Sequence, residues 1–161
     1  MSDFHLAQVN IARMLGPLDG PVMAGFVARL DEINALADAS PGFVWRFQTA
    51  EGNATALRPY DDERILFNMS VWETLEHLRD YVYRSAHTQL IGRRKDWFDK
   101  FEKPYLALWW VPAGHLPTIA EAKQRLEHLS AHGETAEAFT FKQSFAAPEG
   151  EGKESPTMQG R

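Results

Sequence analysis

A histidine stands at a helix position that would ordinarily carry a leucine. In the stretch "YVYRSAHTQLIGRRKDWF", His87 shares one helical stripe with apolar residues. The other members of the stripe are Tyr83, Leu90, Ile91, Phe98 and Phe101, together with the basic residue Arg94. The preceding stripe of Leu75, Leu78 and Val82 lies about half a turn away around the same helix. We therefore predict that helical sequence over 73–101 breaks near Ser85, which would cap a second helix.

The predicted break would place His87 in the first turn of that second helix. The positive end of a helix disfavours imidazolium and therefore favours a neutral ring. A neutral imidazole that faces an apolar interior is suited to bind a metal or a haem iron. The alternative is a core histidine whose ring is hydrogen-bonded to a backbone carbonyl or to Asn68, and the residue pattern alone favours this alternative.

Two further polar candidates lie within apolar strand sequence. Asn68 and Trp72 fall on one face of the predicted strand 65–72, and Asn10 lies within a similar run near the N-terminus. We select Asn68 and Trp72 as the pair to test for a catalytic role. The alternative for Asn68 is an amide that satisfies the backbone of a bulge or loop.

The remaining histidines and tryptophans give weaker signals. His128 and His132 have the i, i+4 spacing of metal ligands but no evident third ligand, so we reject them as a site. His115 follows a strand and could reach a pocket. Trp45, Trp109 and Trp110 are expected to pack in the core or in a dimer interface. The sequence contains no P-loop, HExxH, G-x-S-x-G or GxGxxG motif.

Composition limits the broad class of the protein. The 161 residues suffice for one domain, and their net charge of −5 argues against a general nucleic-acid binder. Between Arg79 and Lys103, however, there are seven basic and four acidic residues, which form either a solvated helix face or a site for an anionic ligand. The chain has no cysteine, signal peptide or apolar stretch of membrane-spanning length. We therefore expect a cytoplasmic protein without a membrane partner.

The order of predicted elements indicates an α+β fold. Strands are predicted at 4–12, 43–48, 65–72 and 104–112, helices at 22–38 and 73–101, and a capped helix from Thr118 to Gly133. A short strand at 54–57 and an edge strand at 138–145 are also considered. This order is the split β-α-β pattern of ferredoxin-like folds. Residues 1–145 are expected to form the domain and 146–161 a disordered tail.

Strands that are apolar on both faces, above all "LALWWV", need cover on the second face of the sheet. Helices of a ferredoxin-like domain normally cover only one face. We therefore predict a homodimer in which sheet packs against sheet.

Three segments cover most of the chain: "LAQVNIARMLGPLDGPVMAGFVARLDEINALADASPGFVWRFQ", "ILFNMSVWETLEHLRDYVYRSAHTQLIGRRKDWFDKFEKPYLALWWVPAGHLPT" and "AEAFTFKQSF". Together they resemble a known bacterial family, domain of unknown function 3291, of the dimeric α/β-barrel superfamily. The superfamily includes antibiotic biosynthesis monooxygenases and haem-dependent enzymes. The resemblance implies the fold and the dimer, but it does not imply one reaction.

One helix resembles a haem protein more closely. The stretch "YVYRSAHTQLIGRRKDWFDKF" is similar to a helix of spheroidene monooxygenase, and only this helix follows that enzyme. The similarity implies that His87 binds the iron of haem b, with Arg93 or Arg94 near a propionate and Tyr83 and Trp97 in the cofactor site. We therefore expect an oxygenase-like enzyme that acts on a small apolar molecule, with or without haem. The alternative is a non-catalytic protein that binds a small molecule or haem.

Overall fold

The fold is a four-stranded antiparallel sheet flanked by helices. The computed structural model describes residues 3–17, 19–47, 65–84, 97–98 and 105–148. The elements in chain order are β1 (Phe4–Arg13), α1 (Ala24–Ala39), β2 (Phe43–Arg46), β3 (Ile65–Trp72), α2 (Leu75–Arg84), β4 (Leu106–Pro112) and α3 (Ile119–His132). The predicted strand at 54–57 and the predicted break near Ser85 lie outside the described residues.

The strand order β2-β3-β1-β4 places β1 and β3 in the centre of the sheet. The strands β3 and β4 both run antiparallel to β1. Gln8 of β1 lies opposite Ser70 of β3 on one side and opposite Leu108 of β4 on the other. This order and the two helices that follow β1 and β3 confirm the predicted ferredoxin-like α+β fold.

Alternate residues of each strand divide the core into two layers. One layer contains Leu6, Trp72 and Leu108 and packs against α1 and α2 through Ala37, Leu75 and Leu78. The other layer contains odd-numbered residues of the three longer strands and packs against Ala122, Leu126 and Leu129 of α3. The helix α3 of the same chain thus covers part of the sheet face that the sequence predicts to pack against a partner subunit. The homodimer stays a prediction.

The third helix begins as its sequence predicts. Thr118 is the N-cap, and its hydroxyl accepts a hydrogen bond of 3.1 Å from the backbone N–H of Glu121. Among the tryptophans expected in the core, Trp109 is fully buried beneath this helix. Trp110 is half-buried and donates to the backbone carbonyl of Phe145 at 2.8 Å.

The segment after α3 adds a single bridge to the sheet rather than a full strand. The backbone of Phe139 exchanges two hydrogen bonds with Leu108, of 2.8 and 2.9 Å. Phe139 is fully buried and packs against Phe145, at a ring distance of 5.6 Å. These contacts hold residues 138–145 along the outer edge of β4, where Phe141 reaches the cavity described below.

Candidate functional site

Four polar side chains form a cluster on the two central strands, on the face that carries α1 and α2. Gln8 and Asn10 of β1 lie opposite Ser70 and Asn68 of β3, respectively. Because residues two apart on a strand point to the same side, this register brings all four together. We call Gln8, Asn10, Asn68 and Ser70 the amide cluster.

Hydrogen bonds connect every member of the amide cluster. The Nε2 of Gln8 donates to Oδ1 of Asn68 and to Oγ of Ser70, both at 2.8 Å. The Nδ2 of Asn10 donates to Oε1 of Gln8 at 3.1 Å and to Oδ1 of Asn68 at 3.2 Å. Gln8 and Ser70 are buried, whereas Asn68 is exposed on the cavity side. The buried members therefore hold Asn10 and Asn68 in fixed positions.

Trp72 extends the amide cluster toward α2. Its indole Nε1 donates to Oγ of Ser70 at 2.8 Å, and its ring stacks on Tyr81 at 5.1 Å. Phe43 contacts the same indole edge-on at a ring distance of 5.5 Å. Asn68 and Trp72 thus lie on one face, as the sequence predicted, and are connected through Ser70 and Gln8. Their catalytic role stays a prediction.

A cavity of about 320 Å³ opens between this face of the sheet and helices α1 and α2. Its floor is the amide cluster, and most of the described wall is apolar. The wall residues contributed by helices and strands include Phe26, Leu30, Ile33, Leu66, Leu78 and Val82. Tyr83 and Phe141 meet edge-to-face at 5.5 Å, and both also line the cavity. An apolar wall with a few convergent polar groups is typical of a small-molecule site.

One side of the cavity carries a cation. Arg46 of β2 lines it, and its Nε donates to Oδ1 of Asp38 on α1 at 2.8 Å. Tyr81 lies nearby, and its hydroxyl donates to the backbone carbonyl of Ile33 at 3.4 Å. Burial raises the pKa of the Tyr81 phenol well above its ordinary value, and the positive charge of Arg46 only partly offsets this rise. Tyr81 is therefore a neutral hydroxyl across the physiological range.

The residues expected to hold haem are only partly described. Tyr83 lines the cavity, but Trp97 is 3% exposed and packs against Phe26 in a separate cluster. His87, Arg93 and Arg94 lie outside the described residues. Within the described part of the chain, no histidine lines the cavity. Its volume is at the lower end of the range of about 300–1,000 Å³ for ligand pockets, which suits molecules smaller than haem. Haem binding through His87 stays a prediction, because the expected iron ligand and both arginines are outside the described residues.

The three histidines considered near or on α3 make contacts that explain their positions. His115 Nε2 lies 2.8 Å from Oε1 of Glu121, at the start of α3. His128 contacts the hydroxyl of Thr135 at 3.1 Å and lies beside His132, at a ring distance of 4.6 Å. Among the described residues, no group of three or more His, Cys, Asp or Glu side chains could hold a metal ion.

Sequence reasoning did not select Gln8, Ser70, Arg46 and Tyr81. A signal for two of them was present: Gln8 and Asn10 alternate with apolar residues, as do Asn68 and Ser70. An antiparallel pairing of these strands would have brought the two polar pairs together. For Arg46 and Tyr81 no comparable signal exists, because their place depends on how α1 and α2 pack on the sheet.

Comparison with known proteins assigns the family. The family model described as "Domain of unknown function (DUF3291)" matches residues 5–155. The chain belongs to the DUF3291 family. No curated protein matches it. The described part of this DUF3291 chain contains no helix long and apolar enough to cross a membrane.

Solved structures with a related arrangement are distant from this DUF3291 protein. Two crystal structures of SnoaB, a cofactor-independent oxygenase from Streptomyces nogalater, are 16% identical to it, with a TM-score of 0.47. Each covers 71% of this chain and 97% of SnoaB. The NE2512 protein of unknown function from Nitrosomonas europaea is 13% identical, with a TM-score of 0.46, and covers 72% of this chain and 97% of its own. Similarity at this level does not transfer an activity.

Proposed function

We propose that this DUF3291 protein is an oxygenase-like enzyme that binds a small, mainly apolar molecule in the cavity, with its reacting end at Asn68. The observation that supports the proposal is the amide cluster at the floor of an otherwise apolar cavity. Polar side chains placed among apolar ones cost free energy unless they are hydrogen-bonded, so a polar cluster at the floor of an apolar cavity is typical of a site with a polar task.

The chemistry follows from the donors of the cluster. An amide N–H held at a fixed position stabilises an oxygen atom on which negative charge develops. If the bound molecule is a phenol or an enolisable ketone, this donor stabilises its anion, and the anion is the electron-rich form that reacts with O₂. Both electrons of the new carbon–oxygen bond come from the substrate anion. One oxygen of O₂ bonds to carbon and the O–O bond is reduced to a single bond. The proton lost when the anion formed is returned to the outer oxygen, so that substrate and O₂ together give a hydroperoxide. In this proposal the protein binds, orients and stabilises the anion.

The direct test is oxygen consumption. Purified protein is mixed in turn with each of a set of simple phenols and enolisable ketones, and O₂ uptake is measured with an oxygen electrode. We expect at least one compound to accelerate uptake, and Asn68→Ala to lower the rate by about tenfold or more, because one stabilising donor is lost. The matched control is Gln124→Ala, which removes an exposed amide on α3, far from the cavity, and should leave the rate unchanged.

Two other outcomes would change the assignment. Quenching of tryptophan fluorescence by the same compounds, without O₂ uptake with any of them, would contradict the oxygenase and support a non-catalytic binding protein. The haem alternative is tested by adding hemin. A Soret band that appears with the wild type and disappears in His87→Ala would support it, whereas an unchanged band in the variant would eliminate His87 as the iron ligand.

A further inference from the structure

The hydrogen bonds of the amide cluster leave a defined set of atoms unused. Each side-chain amide has two N–H donors and one carbonyl acceptor. The two donors of Gln8 and the two donors of Asn10 are all used within the cluster. The Oδ1 of Asn68 accepts from both of these residues, so its two lone pairs are occupied as well.

What remains is two kinds of donor, the Oδ1 of Asn10, and one lone pair on Oε1 of the buried Gln8, which among the described residues accepts only from Asn10. The Nδ2 of Asn68 and the Oδ1 of Asn10 make no hydrogen bond with any residue of the described ranges. The hydroxyl oxygen of Ser70 accepts from Gln8 and from Trp72, so its hydrogen is available as a donor. Because indole nitrogen can only donate, the Trp72 contact fixes Ser70 as an acceptor there. Asn10, Asn68 and Ser70 all line the cavity.

We propose that the ligand is a hydroxy-carbonyl compound on a compact apolar skeleton. Its carbonyl oxygen accepts from Nδ2 of Asn68, and a hydroxyl group on the same edge donates to Oδ1 of Asn10. This inference rests on the proposed function only in that both use the same cavity. A carbonyl alone would leave Oδ1 of Asn10 unmatched, and an alcohol that can only donate would leave Nδ2 of Asn68 unmatched.

The size of the cavity limits the skeleton. A volume of about 320 Å³ is at the lower end for small-molecule pockets, so one or two fused rings are the expected scale. Phe26, Leu30 and Ile33 of α1 line this space together with Leu78 and Val82 of α2, and they offer such rings an apolar environment. The polar edge of the ligand is then directed toward the strands.

The test uses 1-tetralone, the set of hydroxy-1-tetralones that differ in the position of the hydroxyl on the aromatic ring, the methyl ether of each of these isomers, and naphthalene. Dissociation constants are measured by isothermal titration calorimetry. We expect 1-tetralone to bind more tightly than naphthalene. One hydroxy isomer should bind about tenfold more tightly than both 1-tetralone and its own methyl ether, because a matched hydrogen bond replaces an unmatched acceptor.

Two variants assign the two contacts. Asn68→Asp replaces the free donor by an acceptor and should raise the dissociation constants of all tetralones by about tenfold or more. Asn34→Asp places the same charge in the same cavity, on α1 rather than on the strands that carry the amide cluster, and should weaken the binding of tetralones less. In Asn10→Ala, the preference for the hydroxy isomer over 1-tetralone should fall to about one, since the acceptor is gone. Circular dichroism confirms that each variant is folded.

The outcomes separate this inference from the proposed function. If naphthalene and 1-tetralone bind equally, or if no isomer exceeds its methyl ether, the hydroxy-carbonyl assignment is wrong and the cavity remains a binding site. If none of these compounds, naphthalene included, binds, the assignment and small-molecule binding in this cavity are both contradicted. O₂ uptake with substrates that lack a carbonyl would overturn the ligand class alone.

Discussion

Ser70 illustrates how one small residue can set the geometry of a site. Its hydroxyl oxygen accepts one hydrogen bond from Gln8 of the neighbouring strand and one from Trp72 of its own strand, both at 2.8 Å. Both donors are buried, so neither can turn to water if the hydroxyl is removed. The position of the amide cluster relative to the indole therefore depends on this one oxygen atom.

The corresponding prediction is that Ser70→Ala destabilises the fold although it deletes only one atom. Two buried donors lose an acceptor, and each costs on the order of 1 kcal/mol or more. We expect a loss of roughly 1–3 kcal/mol in the free energy of unfolding, measured by urea denaturation. Ser130→Ala, at an exposed position of α3, is the control and should change stability by less than about 0.5 kcal/mol. A loss no larger than that of the control would show that the two hydrogen bonds are not important to stability.

At the scale of elements, the joint between β2 and α2 is built around a glycine. Gly42 immediately precedes β2 and has a positive φ of 81°, a region that favours glycine. The imidazole of His77 in the first turn of α2 lies directly against it, so a Cβ at Gly42 would overlap the ring. Thr74 fixes this ring, because its hydroxyl lies 2.8 Å from Nδ1 of His77 and also accepts from the His77 backbone N–H at 3.1 Å. The carbonyl of Gly42 accepts from the N–H of Glu73 at 2.7 Å.

Gly42→Ala should therefore cost more than backbone strain alone. Gly114 has a similar φ of 95° with open space around it, so Gly114→Ala measures the strain of a positive φ without a clash. We expect about 1 kcal/mol for Gly114→Ala and a further 1–3 kcal/mol or so for Gly42→Ala, measured by urea denaturation. In the double variant Gly42→Ala with His77→Ala, much of the extra cost should disappear. Equal costs for the two glycine variants would contradict the role of His77.

At the scale of the whole molecule, local sequence signals predicted the elements better than the contacts between them. The strand 65–72 and the capping box of Thr118 and Glu121 are confirmed, because both depend on residues close in the chain. The amide cluster was only half predicted, since Gln8 and Ser70 meet through strand pairing across 62 residues of sequence. The place of α3 on the second face of the sheet was missed. Its amphipathic stripe indicates that one side is buried, but not against which surface.

A carboxylate connects α3 to that second face, and it makes stability depend on pH. Glu121 accepts from Nε1 of buried Trp109 at 3.0 Å and contacts His115 at 2.8 Å. Burial raises the pKa of the Glu121 carboxyl, but the hydrogen bonds of His115 and Trp109 outweigh burial, so that its pKa lies below the ordinary 4.5. A carboxyl whose pKa is lower in the folded than in the unfolded chain stabilises the fold above the unfolded value. That contribution is lost as the pH falls through the folded value.

We predict that the difference in stability between wild type and Glu121→Gln depends on pH. Wild type should be more stable than Glu121→Gln near neutral pH, and the gap should narrow as the pH falls below about 4.5 and the carboxyl takes up a proton. Urea denaturation at a series of pH values, followed by tryptophan fluorescence, measures the gap. The control is Glu127→Gln, since Glu127 lies on an exposed side of α3. The stability of this variant should equal that of the wild type at every pH. A gap between wild type and Glu121→Gln that stays constant from neutral pH to pH values well below 4.5 would mean that Glu121 supports the fold by its shape and not by its charge.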